Sequence, residues 1–291
     1  MDLAIPEWKG ESGVGKSILV YREQGLGDEI MWATCLPDLA QEFSTVVYAC
    51  HPKLVTLFSR TYPEVAIIPN RVPRHPMMLE HFDYQIPIAS LPRFFRRHVE
   101  SFPINPRLMQ DDVIRTEHWR QRLKELQPNL LVGLAWRSGY SDAIRDVHYL
   151  SLDDLAPMFE LPGVVYVNLQ YHLSDIEKQQ LDERFPGKVL HAYEVDLFDD
   201  LDATACLMKA CDLIVAPCTS TLMLAGALGL PALYLLSLQQ DFWMLGNEGY
   251  SPWFPTTTVL ARGIENNWQN VIEQTSLIIL QLAKEKIQSK P

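Results

Sequence analysis

Seven consecutive apolar residues, Leu130-Leu131-Val132-Gly133-Leu134-Ala135-Trp136, constrain the fold more than any other stretch of this 291-residue chain. A strand with one face in water alternates apolar and polar positions, whereas a strand covered on both faces reads as one apolar run. Pro128-Asn129 punctuates the chain before the run, and Arg137-Ser138-Gly139 ends it in a polar glycine turn. A buried parallel strand needs helices on both faces, so the run predicts an open α/β sheet. It also puts the glycine turn at a strand's carboxyl end, where such sheets bind ligands.

The rest of the chain repeats this pattern. Residues 18–21, 45–50, 65–68 and 84–88 read as strands ahead of the run, and 164–169, 188–192, 213–216 and 232–236 as strands after it. Helical patterns lie between them: a stripe to about Phe43 interrupted by Pro37, then 53–60, 119–126 and a long amphipathic pattern from Glu265 to about Glu285. The expected architecture is two α/β, Rossmann-like domains, 1–128 and 129–291, facing each other across a cleft.

Gln24-Gly25-Leu26-Gly27-Asp28-Glu29 follows the first strand and opens a helix. Glycines there allow close approach of a ligand or positive φ, and the helix start offers unpaired N–H groups. Asp28 has two readings, an acid serving the helix N-terminus and a functional carboxylate. Residues Gly10-Glu11-Ser12-Gly13-Val14-Gly15-Lys16-Ser17 match the P-loop pattern by letter. A P-loop stands between a strand and a helix; here a strand follows at once, so the segment reads as a loop entering that strand and an ATPase is disfavoured. A dinucleotide site would want a third glycine at Ile30 and an acid near Cys50, and neither is there.

Composition excludes other classes. A net charge of -11 provides no field for nucleic acid or an anionic membrane surface. No apolar run is long enough to span a bilayer and the start lacks a signal-peptide pattern, so a cytoplasmic protein is expected. Five cysteines make no C-x-x-C pair, and eight histidines show no metal-ligand spacing, so neither disulfides nor a metal are expected. The basic cluster from Arg93 to His98 reads as a solvated face with two anchoring phenylalanines, or as an anion or acceptor contact.

In the second half, Cys218-Thr219-Ser220-Thr221 joins a strand to the small-residue helix Leu224-Ala225-Gly226-Ala227. Such hydroxyls either cradle a diphosphate at the helix N-terminus or simply cap it. Asp241-Phe242-Trp243 and Ser251-Pro252-Trp253-Phe254-Pro255 put aromatics in loops, to stack on a sugar or base or to anchor the loop.

Taken together, Pro6 to Gly10 with Gly15-Lys16, Glu23-Gln24-Gly25-Leu26-Gly27-Asp28, Val132-Gly133-Leu134-Ala135-Trp136-Arg137, Asn168-Leu169-Gln170, Leu224-Ala225-Gly226-Ala227-Leu228-Gly229 and Ser251 to Pro255 occur in an order that resembles a known family. It is that of bacterial GT-B glycosyltransferase domains related to the lipopolysaccharide heptosyltransferases, often found behind tetratricopeptide repeats. The resemblance covers nearly the whole chain and implies a transferase that moves a sugar from a nucleotide-sugar donor to a glycan, lipid-linked or protein acceptor, with inversion and without a metal or other cofactor. The first domain would hold the acceptor and the second the donor, with a peripheral or partner-protein contact left open. Asp28 would be the general base, in a loop made by Gln24, Gly25 and Gly27. Arg137, Ser138, Cys218, Thr219 and Ser220 would face the diphosphate, and Gln170 the nucleoside.

Three positions depart from the family pattern. Cys218 stands where relatives carry aspartate, Met223 where they carry histidine, and His148 where they carry arginine, with Arg145 nearby as a substitute. These changes fit a different donor, and they equally fit a non-catalytic binding or scaffold module on the same fold. A nucleotide-sugar epimerase of related architecture is a third reading.

Overall fold

The computed structural model describes residues 5–70, 81–126, 128–139, 146–237, 244–245, 249–263 and 267–288. The chain forms two compact units, Met1–Gln110 and Asp111–Pro291.

The first unit carries a four-stranded sheet built from β1 (Ser17–Tyr21), β2 (Thr45–Cys50), β3 (Ala66–Pro69) and β4 (Tyr84–Pro87). Its order is β3-β2-β1-β4 and every pairing is parallel. Helices α1 (Leu26–Trp32), α2 (Leu36–Glu42), α3 (Val55–Thr61) and the short α4 (Pro92–Phe95) join the strands. Pro37 does not end the expected helical stripe: a 3-10 turn at Ala33–Cys35 separates α1 from α2, and Pro37 falls in the first turn of α2, where a missing N–H costs nothing.

The P-loop-like segment has a packing role. A Cβ on Gly13 would lie 2.5 Å from the Glu42 carbonyl and 2.7 Å from the Phe43 ring, so only glycine lets the loop pass there. Lys16 pairs with Asp83 at 2.9 Å, and β1 starts at Ser17 with no helix after the loop. Lys16 holds the Asp83 carboxyl down, to about 2. Ionised Asp83 therefore favours the folded state above its ordinary 3.8, and that contribution is lost as pH falls towards 2. Asp83→Asn should be less stable than the parent at neutral pH, with the difference closing over that acid interval in pH-dependent unfolding curves. The basic cluster is structural as well: Arg96 is buried and pairs with Asp38 at 2.7 Å, Arg93 meets Glu7 at 3.3 Å, and Phe94 packs 4.3 Å from Trp8.

The second unit holds six parallel strands, β5 (Leu130–Leu134), β6 (Val164–Asn168), β7 (Val189–Leu190), β8 (Leu213–Ala216), β9 (Ala232–Leu236) and β10 (Thr257–Ala261), in the order β10-β9-β8-β5-β6-β7. Its helices are α5 (Val113–Lys124), α6 (Leu152–Phe159), α7 (Asp175–Arg184), α8 (Leu201–Lys209), α9 (Ser220–Ala227) and α10 (Gln269–Gln288). Helix α5, which the sequence places in the first half, packs here against α8, with Arg115 reaching Asp200 and Asp202. The boundary between the compact units accordingly lies ahead of it.

All five residues of β5 are buried. Val132, Leu134 and Trp136 enter a core with Leu155, Phe159, Tyr166 and Ile279 from α6, β6 and α10. Gly133, on the other face, leaves no space for a side chain: a Cβ would fall 2.6 Å from Ile214 and 2.7 Å from Leu169. Trp253 and Phe254 are buried, and a Cβ on Gly226 of α9 would lie 2.4 Å from the Phe254 ring, so Phe254 anchors α9. The segment Asp241-Phe242-Trp243, Arg145 and Glu265 lie outside the described residues. Among the described residues no helix is long and apolar enough to cross a membrane.

Candidate functional site

In both sheets the order in which successive strands are added reverses beside the first strand. In the first unit β1 lies between β2 and β4, and in the second β5 lies between β6 and β8. In open parallel sheets the crevice beyond the carboxyl ends of strands at such a switch point is where ligands bind. The expected site residues follow the carboxyl ends of β1, β5, β6 and β8.

The glycine loop follows β1. Gln24 adopts a left-handed conformation, φ 62°, which non-glycine residues rarely take. Gly25 is the N-cap of α1, and its N–H donates to Asp28 Oδ2 at 3.0 Å, so Asp28 serves the helix start from the third position. Burial raises the Asp28 carboxyl above its ordinary value, and bonds from the Gly25 and Asp28 N–H groups offset this only in part. Capping and a raised basicity thus coexist in one side chain. The next residue, Glu29, is 0% exposed, which its place beside Asp28 in the sequence does not announce. Its carboxylate accepts bonds from Arg22 Nε at 2.7 Å, the Tyr48 hydroxyl at 2.9 Å and the His51 N–H at 2.9 Å.

At the end of β5, Arg137 is held by Glu177 of α7, Nη2 to Oε2 at 2.6 Å and Nε to Oε1 at 3.3 Å, and it also donates to the His172 carbonyl. Glu177 is the third residue of a capping box with Ser174, visible as Ser-x-x-Glu in the sequence. Burial alone would raise its carboxyl, but the Ser174 N–H and Arg137 outweigh that and hold it below the ordinary value. Ser138 lies 3.4 Å from the Tyr171 hydroxyl. Beside them the rings of Tyr171, His172 and Phe198 gather, His172 4.5 Å and Tyr171 5.8 Å from Phe198. Phe198 is 39% exposed, so the cluster has an open apolar side. The sequence around Tyr171 and His172 does not show this cluster, because Phe198 is brought to them only by tertiary packing.

Gln170, expected to face a nucleoside, is 1% exposed. Its Oε1 accepts the N–H groups of both Trp136 and Arg137, at 3.1 and 3.0 Å, and its Nε2 donates to the Tyr171 carbonyl at 2.8 Å. The side chain braces the turn after β5. Gln170→Leu keeps the volume but strands two donors, at roughly 1–3 kcal/mol for each buried group left unsatisfied. Urea unfolding should show that loss, and Gln170→Glu, which keeps the acceptor, separates volume from bonding.

After β8, Cys218 is exposed and Thr219 is the extended N-cap residue of α9. The Thr219 hydroxyl donates to the Pro217 carbonyl at 3.3 Å and makes no side-chain cap bond, so the capping expected of it is not made through the side chain. Ser220 begins the helix. Met223 is half-buried within it. His148 Nδ1 contacts the Ser237 hydroxyl at the end of β9. Arg262, just past β10, donates to the Ser237 carbonyl at 3.2 Å and lies 4.8 Å over the Trp268 ring. Among the described residues no group of three or more His, Cys, Asp or Glu side chains could hold a metal ion.

This architecture is shared with solved glycosyltransferases. The E. coli ADP-heptose lps heptosyltransferase II superposes with a TM-score of 0.61 over 91% of this chain and 99% of that one, at 16% identity. The family 9 glycosyl transferase from Veillonella parvula gives 0.63 over 93% and 97%, also at 16% identity. E. coli heptosyltransferase WaaC, solved with ADP-2-deoxy-2-fluoro heptose, gives 0.54 over 91% and 99%, at 11% identity. The chain thus has the GT-B fold of these proteins. Among curated proteins, the Caulobacter vibrioides protein FlbA is 32% identical over 275 residues, 90% of this chain; the match spans 46% of FlbA. No protein-family model matches the chain.

Proposed function

We propose that the chain is a metal-independent, inverting glycosyltransferase that takes a nucleotide-sugar donor and a glycan, lipid-linked or protein acceptor. The observation that carries this reading is that Arg137, after β5, and Thr219 with Ser220, at the N-terminus of α9 after β8, follow the carboxyl ends of neighbouring strands. A cation and a helix N-terminus with hydroxyls stabilise a leaving diphosphate without a metal. The Tyr171–His172–Phe198 rings supply a surface for the nucleoside, and Gln170 holds the backbone of Arg137 rather than the ligand. In the first unit Asp28 takes the proton of the acceptor hydroxyl as that oxygen attacks the anomeric carbon and the nucleoside diphosphate leaves. Its raised basicity suits this step. The likeness to glycosyltransferase structures supports the fold on which this reading stands.

One observation favours a second reading, a binding or scaffold module without turnover. Arg137 is already neutralised by Glu177, and Cys218 and Met223 are soft side chains where the family pattern has polar ones. Thermal unfolding with nucleoside diphosphates and their sugars separates the two, because a ligand of the folded state alone raises the midpoint with concentration. A shift diminished by Arg137→Ala and by Thr219→Ala supports the transferase. Absence of any shift, from protein that unfolds cooperatively, supports the scaffold.

A further inference from the structure

We propose that Glu29 is a positioning residue: its buried carboxylate, acting through Arg22, pins the carbonyl of Gln24 and so fixes the glycine loop that presents Asp28. The inference rests on the base role proposed for Asp28. Glu29 points away from solvent and takes bonds from three segments: the end of β1 through Arg22, the body of β2 through Tyr48, and the backbone just after β2 through His51. A buried carboxylate is costly unless paired and fully bonded, and here each oxygen has a donor. Of these partners, Arg22 reaches on into the loop. Its Nη2 donates to the Gln24 carbonyl at 2.9 Å, while its own N–H donates to Ala49 in β2 at 3.1 Å.

The loop needs such a hold. Gln24 sits at φ 62° without the freedom of glycine, a conformation that persists only where the surroundings fix it. The next residue, Gly25, gives its N–H to Asp28. The path therefore runs from sheet to carboxylate to guanidinium to Gln24 carbonyl, and the backbone carries it to the Gly25–Asp28 bond. The forked guanidinium of Arg22 joins the two ends, because one arm holds Glu29 while the other holds the loop.

Two variants test this. Glu29→Gln replaces an acceptor-only group by an amide whose nitrogen must face a donor, and Arg22→Lys keeps the charge but removes the second arm. Both should fold, with Gly25 amide exchange by NMR faster by about tenfold or more as the loop opens. With a working donor, kcat should fall roughly 10- to 100-fold, since small displacements of a reacting group carry such losses, while donor KM changes less than about twofold. The double variant should be no worse than either single one, as expected of two residues in one path. Unchanged Gly25 exchange in the folded variants overturns the proposal, as does faster exchange with parental kcat. If the parent chain transfers no sugar at all, the transferase reading fails separately, and the exchange measurement alone decides whether Glu29 holds the loop.

Discussion

Asp28→Asn is expected to lower turnover by roughly 10²- to 10⁴-fold, the usual contribution of a positioned general base, with donor binding unchanged. The asparagine carbonyl can still accept the Gly25 N–H, so the loop geometry survives and the loss is chemical. Because burial raises the Asp28 carboxyl above its ordinary 3.8, the acid limb of kcat/KM in the parent should lie above the common aspartate range. The stability consequence has the opposite sense from a salt-bridged acid. A raised folded pKa means that ionisation disfavours the fold, so the penalty is absent below 3.8 and grows as pH rises through the raised value. Asp28→Asn, which resembles the neutral acid, should therefore unfold no earlier than the parent at pH 7 and lose that relative advantage in acid. Full turnover in the variant would remove Asp28 from the chemistry.

Trp136→Ala should cost about 3–5 kcal/mol, the range for truncating a large buried aromatic side chain. Trp136 is 1% exposed in the core shared by β5, α6 and α10. Against a net stability of roughly 5–15 kcal/mol for a folded domain, that is a large share. The ring lies next to Arg137, and both backbone N–H groups bond to Gln170. The same substitution should thus weaken nucleotide binding beyond what unfolding explains. Denaturant midpoints with and without a nucleoside diphosphate measure the two effects together, and Trp136→Phe should recover most of both. A loss below about 1 kcal/mol would speak against the burial of this ring, because even a fully collapsed cavity leaves the lost transfer free energy.

Much of this fold can be read from local pattern. The sequence expectations for β2, β8 and β9 coincide with the observed strands, because each is an apolar run between clear breaks. The strand β10 was not expected: Thr257 and Thr258 open it on a polar note at the sheet edge, right after a proline-rich loop. Helix α5 begins at Val113, ahead of the expected 119, because its Asp112 cap precedes two exposed apolar residues that break the amphipathic pattern. The candidate site divides along the same line. Asp28, Arg137 and Thr219 were visible as polar residues at strand ends, where backbone geometry alone makes them candidates. The burial of Glu29 and Gln170 is not legible in the sequence, because burial is a tertiary property. Glu29 is enclosed by Tyr48 and His51 from β2 and the turn after it, and Gln170 reaches across to the turn after β5. Nothing adjacent in sequence announces either contact.

The strand order of the second unit also has a consequence during synthesis. Strand β5 finds β6 early, but its other edge waits for β8: Asp212, whose carboxylate accepts the Leu131 N–H, follows it by 81 residues. At translation rates of about 5–20 residues per second, this fully buried strand spends roughly 4–16 seconds with one edge open. An open apolar edge is a template for pairing with other chains. Changes that slow the β5–β6 pairing would therefore reduce the yield of folded protein from the ribosome while leaving the finished molecule nearly as stable.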